Sequence, residues 1–192
     1  MNRLFFLIFS LMFAMQACSQ PENTKNQTNQ KPQVENRTGE SPKQQMTSLD
    51  YLREGSSFYQ AKNYEKAVVP FQVALDLEKK ERQLDKALWF MLIDNLAMSY
   101  GLKGDIKRSQ EVVDYGIQQD PTYPFFYYIK ACGFGQTEDE DNATKYLRLA
   151  FKNKDNLIKG ETFPDPATDS SFKGLMKREK FQKAVAEMKN GD

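Results

Sequence analysis

The sequence has no histidine and only two cysteines in 192 residues, and each shortage excludes a class of function. Without an imidazole, the chain cannot form a Ser-His or Cys-His nucleophile pair, use a histidine general base or build the usual imidazole metal site. With two cysteines it cannot form a disulfide framework. We therefore expect that the protein is not an enzyme and that it has no catalytic residues.

An excess of one charge is also missing, because 27 Lys and Arg residues are balanced by 26 Asp and Glu residues. This balance gives no general electrostatic attraction to nucleic acid, so we expect no nucleic-acid partner.

Two short motifs lack the partners that a ligand site would need. The acidic run Glu138 to Asp141 has neither the alternating oxygen ligands nor the central glycine of a calcium loop, and acids before a helix are better explained as caps. The run Gly133 to Gly135 has no following Lys-Ser/Thr pair, so we interpret it as the loosened end of a helix rather than a phosphate loop. We expect no metal and no cofactor.

Residues 1–17 have the layout of a secretory signal, with Arg3 before an apolar run from Leu4 to Met15 that is short for a bilayer span. Because Cys18 follows a small residue at the end of this run, the segment resembles a bacterial lipoprotein signal peptide. That resemblance implies that Cys18 is acylated and becomes the first residue of the mature protein. The alternatives are an ordinary cleaved signal or an uncleaved anchor. If Cys18 carries lipid, Cys132 has no partner in its own chain, and its place in a predicted helix favours packing over chemistry.

Residues 18–47 follow as a polar segment that has no aromatic residue, and Val34 and Met46 are its only large apolar side chains. Such a segment cannot bury enough apolar surface to offset the entropy of ordering the chain. We expect a disordered tether with a reach of about 30 Å. A partner-binding tail is the alternative.

The stretch from Asp50 to Ala74 predicts two amphipathic helices that pack through small residues. Its pattern consists of Tyr51, Gly55, Phe58, Tyr64, Ala67, Phe71 and Ala74. These residues resemble the tetratricopeptide repeat (TPR), a helical hairpin of about 34 residues that must stack on its neighbours.

Two further copies of the pattern follow in register. Ala97 and Ala131, which correspond to Gly55, are 34 residues apart, whereas 42 residues separate Gly55 from Ala97. The eight extra residues fall in the charged run from Glu78 to Asp85, which we interpret as longer helices or a longer turn. The second copy contains Leu96, Ala97, Tyr100, Gly104, Ser109, Val113 and Pro121, and the third contains Tyr127, Ala131, Phe134, Ala143, Leu147 and Ala150.

The resemblance therefore implies an all-α fold, a short TPR-like solenoid of three helical hairpins with a C-terminal capping helix. The helical domain spans residues 48–192, with repeats at about 48–81, 90–123 and 124–157. A closing segment at 163–190 has apolar residues spaced to cover the last repeat, whose face would otherwise be exposed.

In this family the first helix of each hairpin lines a concave groove that receives a peptide or a helix of another protein. Carried over to this chain, the groove positions are mostly apolar and aromatic, which suits a hydrophobic peptide or an amphipathic helix. The alternative is that the closing segment narrows the groove and these residues are core. The partner-binding groove would consist of Leu52, Tyr59, Met91, Asp94, Met98, Phe125 and Tyr128.

The sequence thus favours a non-catalytic interaction module that binds an envelope protein and is attached to a membrane through a lipid on Cys18. The expected location is the bacterial cell envelope, at the outer membrane and facing the periplasm. An accessory subunit of an envelope enzyme and a carrier of an apolar small molecule are the alternatives.

Overall fold

The structure is a computed structural model that describes residues 45–191, and all regular elements in this range are helices. Six α-helices form three consecutive hairpins, and a seventh closes the array, which confirms the predicted all-α architecture. The signal peptide, Cys18 and most of the tether lie outside the described residues. The helices are α1 (Ser48–Gln60), α2 (Tyr64–Lys80), α3 (Lys86–Leu102), α4 (Ile106–Gln119), α5 (Pro124–Gln136), α6 (Glu140–Lys152) and α7 (Glu179–Asn190).

The turn inside each hairpin repeats at the level of the backbone. Its middle residue has a positive φ in all three copies, at Lys62, Gly104 and Glu138. The residue after it donates its backbone N–H to the carbonyl five residues earlier, at 2.8 to 3.0 Å. The accepting residues are Phe58, Tyr100 and Phe134, the three that the sequence pattern aligns.

Side-chain caps fix where most of the helices begin. Five helices are preceded by a residue whose side-chain oxygen accepts the backbone N–H three positions later, which satisfies an amide that the helix cannot. Asp139 is one of them, so capping is the role of the acidic run. The helix α5 instead begins with Pro124, whose missing N–H is not needed in the first turn. The caps are Thr47, Asn63, Asp85, Asp105 and Asp139.

The extra residues between the first and second repeats lengthen helices rather than the connection. Both α2 and α3 have 17 residues, whereas the other helices of the hairpins have 13 or 14. The second hairpin begins at Lys86, after the Asp85 cap.

Small residues allow close helix contacts, at more sites than the sequence indicated. A Cβ atom added to Gly55 would lie 2.4 Å from a ring carbon of Phe71, which is itself fully buried. A Cβ on Gly135 would lie 2.6 Å from the carbonyl oxygen of Ser171. Gly133 faces the side-chain amide of Gln110, which is the end of a flexible side chain. The interpretation of Gly133 to Gly135 as a loosened helix end is therefore wrong, because α5 continues through both glycines to pack closely against α4 and the closing segment.

The closing segment covers the last hairpin as predicted. Two short 3-10 turns, Ser170–Phe172 and Leu175–Lys177, lead into α7. Their apolar side chains form one core with α5 and α6. Arg178 joins the segment to the last hairpin turn by donating to the carboxylates of Glu138 and Glu140, at 2.6 and 3.4 Å. The buried apolar residues of the closing segment itself are Phe172, Leu175, Phe181, Ala184, Val185 and Met188.

Candidate partner-binding groove

A groove of about 450 Å³ opens between α1 and α3. We call it the open half of the concave face, since these are the first helices of two neighbouring hairpins. Its lining is apolar along the base and polar along the α1 rim. It consists of Leu49, Leu52, Arg53, Ser56, Ser57, Gln60, Leu88 and Met91.

Met91 is the exposed apolar side chain of this half. It is 47% exposed, whereas Leu52, which forms the floor, is only 2% exposed. Arg53 is the one charged lining residue, and its guanidinium is 4.0 Å from the carboxylate of Asp50 on the exposed surface. A long exposed ion pair of this kind contributes little, so the guanidinium is free to bind a carboxylate of another molecule.

The half of the face over α5 is covered by the chain itself. Residues 157–169, which we call the strap, run from the short 3-10 turn Lys154–Asn156 after α6 to the 3-10 turn that begins at Ser170, and they contain no α- or 3-10 helix. The Phe163 ring packs on Phe125, Tyr128 and Phe151, with ring centroids 6.5, 5.6 and 4.9 Å apart. The groove is therefore narrowed over α5, which is the alternative given above, and it stays open between α1 and α3.

A polar cluster joins the strap to α3. The hydroxyl of Tyr123 lies 2.7 Å from Oε1 of Glu161 in the strap and 3.1 Å from Oδ2 of Asp94. The backbone N–H of Ile158 donates to the other oxygen of Glu161, at 2.8 Å. Because a phenol has one hydrogen, it can donate to only one of the two carboxylates at a time.

The environment of Asp94 is unfavourable for a negative charge. Burial raises the pKa of Asp94 well above its usual value, and the charge of Glu161 raises it further, while the hydrogen bond from Tyr123 acts in the opposite direction. Although part of the side chain is accessible, its Oδ1 is buried and has no hydrogen-bond partner among residues 45–191. Burial and both carboxylates also raise the pKa of Tyr123.

The strap makes a second polar contact near its end. Asp169 accepts a hydrogen bond from the hydroxyl of Tyr128, at 3.0 Å, and the thiol of Cys132 lies 3.9 Å from the same carboxylate oxygen. Cys132 is buried, and burial with the nearby charge of Asp169 raises the pKa of its thiol well above the usual value. A thiol that stays protonated is a poor nucleophile, so packing explains this cysteine.

The residues predicted to form the groove differ widely in accessibility. Met91 is exposed, whereas Leu52 and Tyr128, at 2% and 3% exposure, are part of the core. The other four are partly buried. Of these, Tyr59 packs edge-on against Tyr64, and burial raises its pKa to about 12. The four partly buried residues are Tyr59, Asp94, Met98 and Phe125.

Tyr123, Glu161 and Phe163 are not among the residues predicted to form the groove. Phe163 lies next to two prolines in the sequence, and this pattern does not indicate which surface the ring will cover.

Residues 45–191 contain no group of three or more Cys, Asp or Glu side chains placed to hold a metal ion. No helix in the same range is long and apolar enough to cross a membrane.

The three hairpins and the closing helix define a TPR-like helical repeat fold. The crystal structure of the Sgt2 TPR domain from Aspergillus fumigatus superimposes with a TM-score of 0.50 and 15% identity, covering 74% of this chain and 82% of that domain. Two structures of PcrH from Pseudomonas aeruginosa, alone and in complex with the chaperone binding region of PopB, give TM-scores of 0.49 and 0.48 at 18% identity. They cover 74% and 73% of this chain and 91% and 93% of the PcrH chains. No protein-family profile and no curated protein sequence matches the chain.

Proposed function

We propose that the protein is a non-catalytic interaction module that binds a peptide or helix of an envelope protein on its concave face, and that a lipid on Cys18 attaches it to the membrane. The observation that supports this function most directly is the open half. Its apolar base ends at an exposed methionine, and its rim offers one free guanidinium together with hydroxyl and amide groups.

This chemistry suits an amphipathic segment. An apolar side chain placed over the base would cover Leu49, Leu88 and Met91, and each square ångström of apolar surface removed from water contributes about 25 cal/mol. The rim would then fix the orientation of the bound segment, since the guanidinium of Arg53 can donate two parallel hydrogen bonds to a carboxylate. Methionine adapts its shape to different apolar side chains, which suits a surface that receives a flexible ligand.

Site-specific photocrosslinking in cells tests the proposed groove. A photoreactive amino acid at Met91 should capture one defined envelope protein. The same amino acid at Val69, which is 65% exposed on α2, should not capture it. Equal capture from both positions, or none from Met91, would contradict the proposal.

Truncation of the groove provides the quantitative test. Met91→Ala should weaken binding of the captured protein at least tenfold, because a central apolar contact is lost. Lys152→Ala, at an exposed position on α6, should leave binding unchanged. Both variants should melt at the parent temperature, so that a loss of binding cannot be attributed to unfolding.

The membrane attachment is tested separately. The proposed organisation is a signal peptide at 1–17, acylated Cys18 at the start of the 18–47 tether, and the outer membrane as the destination. Cys18→Ala should abolish fatty-acid labelling and move the protein out of the membrane fraction. Salt should not extract the parent protein, whereas detergent should, because apolar burial holds an acylated protein on a bilayer. Labelling that persists in the variant would exclude the anchor.

A further inference from the structure

We propose that the strap is a built-in ligand of the concave face, and that the half over α5 takes an extended peptide of the same chemistry, which displaces the strap. The ligand class is an aliphatic residue, a polar residue three positions later and an aromatic residue two positions beyond it, as in Ile158, Glu161 and Phe163. This inference rests on the proposed function, because it assumes that the concave face binds peptides.

The strap contacts the face as a bound peptide would. It has no regular helix of its own, and four of its side chains make separate contacts. Ile158 packs against the core shared by the first two hairpins and α5, and Glu161 accepts a hydrogen bond from the hydroxyl of Tyr123. Phe163 lies on the aromatic rings of α5, and Asp169 accepts a hydrogen bond from the hydroxyl of Tyr128. The spacing of Ile158, Glu161 and Phe163 along the strap defines the ligand class stated above.

The first part of the strap is attached less firmly than the residues that follow it. Ile158, Glu161 and Phe163 are only partly buried, whereas Pro166 near the end of the strap and Phe172 beyond it are buried. Residues 157–164 could therefore leave the face while residues 165–190 stay in place. Regions with few buried apolar contacts open at a smaller free-energy cost than the core does.

The polar anchor is also an imperfect match. Glu161 and Asp94 compete for the single phenolic hydrogen of Tyr123, and Oδ1 of Asp94 is buried without a partner among the described residues. A glutamine at the Glu161 position removes this competition. Its amide N–H could donate to the Tyr123 oxygen while the phenol donates to Asp94, and its carbonyl could still accept from the backbone of Ile158. Glu161→Gln should therefore fix the strap in place, and Phe163→Ala should release it.

The probe is a fluorescein-labelled synthetic peptide with the sequence of residues 157–169, added to the full-length protein in detergent. Fluorescence anisotropy should show at least tenfold tighter binding to the Phe163→Ala protein than to the parent, and weaker binding to the Glu161→Gln protein. Lys159→Ala, at an exposed strap position, should behave as the parent does. A peptide with alanine in place of its phenylalanine should not bind the Phe163→Ala protein.

The proposal is overturned if the Phe163→Ala protein keeps its helical circular dichroism and binds the peptide no better than the parent. If that variant unfolds, Ile158→Ala provides the same test by removing a different anchor, and equal binding by parent and variant again overturns the proposal. Photocrosslinking from Met91 separates the two proposals. Capture of a partner at Met91 together with no peptide binding would retain the proposed function and reject the strap as a ligand.

Discussion

The two halves of the concave face differ in what covers them, although they are built from equivalent helices. Between α1 and α3 the groove is open, and over α5 the strap fills it. The change occurs within one turn of α3, since Met91 is exposed and Asp94, three residues later, lies under Tyr123 and Glu161. In this fold the repeat decides which side chains share a face, and the segments between helices decide which of them a partner can reach.

The two halves are also stabilised differently. Phe172, on the covered side, lies against Tyr128 and Phe181, with ring centroids 5.9 and 5.7 Å away. On the open side, the buried carboxylate of Glu78 accepts hydrogen bonds from the Ser48 hydroxyl, at 2.5 Å, and from two backbone amides of the α2–α3 connection. Aromatic packing supports one half, and in the other a buried acid links the first helix to α2 and to the α2–α3 connection.

The largest effect is expected from breaking the covered side. Phe172 is completely buried, so Phe172→Ala leaves a cavity and should lower the free energy of unfolding by about 3–5 kcal/mol. Urea denaturation followed by the fluorescence of Trp89, in the second hairpin, should still show a single transition because neighbouring repeats share their core. A loss below 1 kcal/mol would mean that the closing segment is not part of the cooperative unit.

A substitution in the first hairpin, on the open side, should lower the free energy of unfolding slightly less. Gly55→Leu forces a side chain into the Phe71 ring at the contact between α1 and α2, and overpacking of this kind costs about 1–3 kcal/mol. Thermal denaturation should show the loss, while Gly104→Ala should be the milder change. Gly104 has no atom within 4 Å of an added Cβ, and the strain at its positive φ is the only penalty. Equal losses for the two substitutions would contradict the close helix contact.

The sequence predicted the hairpins because small and aromatic residues recur at positions that the repeat geometry requires. Gly55 and Phe58 have counterparts at each later copy, and the turns after Phe58, Tyr100 and Phe134 have the same hydrogen bond. Helix lengths could not be fixed in the same way, since the charged run after Glu78 is equally compatible with a longer helix or a longer turn.

The position of the strap could not be predicted from the sequence. Its contacts join residues far apart in the chain, such as Glu161 and Tyr123. Because the strap has no periodic pattern of apolar residues, its sequence does not indicate which surface it will contact. The register places Phe125 and Tyr128 on one face of α5, but it could not show that Phe163 covers both rings. It likewise could not show that Leu52 would be the floor of the open half rather than a contact on its surface.

Removing the carboxylate of Glu78, the buried acid of the open half, should lower stability less and should weaken partner binding strongly. Glu78→Ala leaves two backbone amides and the Ser48 hydroxyl without their acceptor, which should cost about 2 kcal/mol. Because α1 then loses the hydrogen bond from Ser48 to α2, crosslinking from Met91 should also decrease. The matched control is Glu81→Ala, an exposed acid three residues later, which should change neither measurement. Parent-like capture by the Glu78 variant would show that this acid does not position the groove.

The pH dependence caused by Asp94 is the most specific test of the covered half. Its pKa is raised in the folded protein by burial and by the charge of Glu161, so between pH 4 and the folded pKa the native state binds a proton that the unfolded chain has released. Stability therefore decreases as pH rises through that window, by about 1.4 kcal/mol for each unit of difference between the two pKa values. Asp94→Asn, which resembles the protonated acid, should match the parent in stability near pH 4 and exceed it at pH 7. Asp155→Asn, at an exposed position after α6, should follow the parent at both pH values. Parallel urea-denaturation profiles for Asp94→Asn and the parent would mean that Asp94 is solvated at neutral pH, and hence that the strap does not close over it in solution.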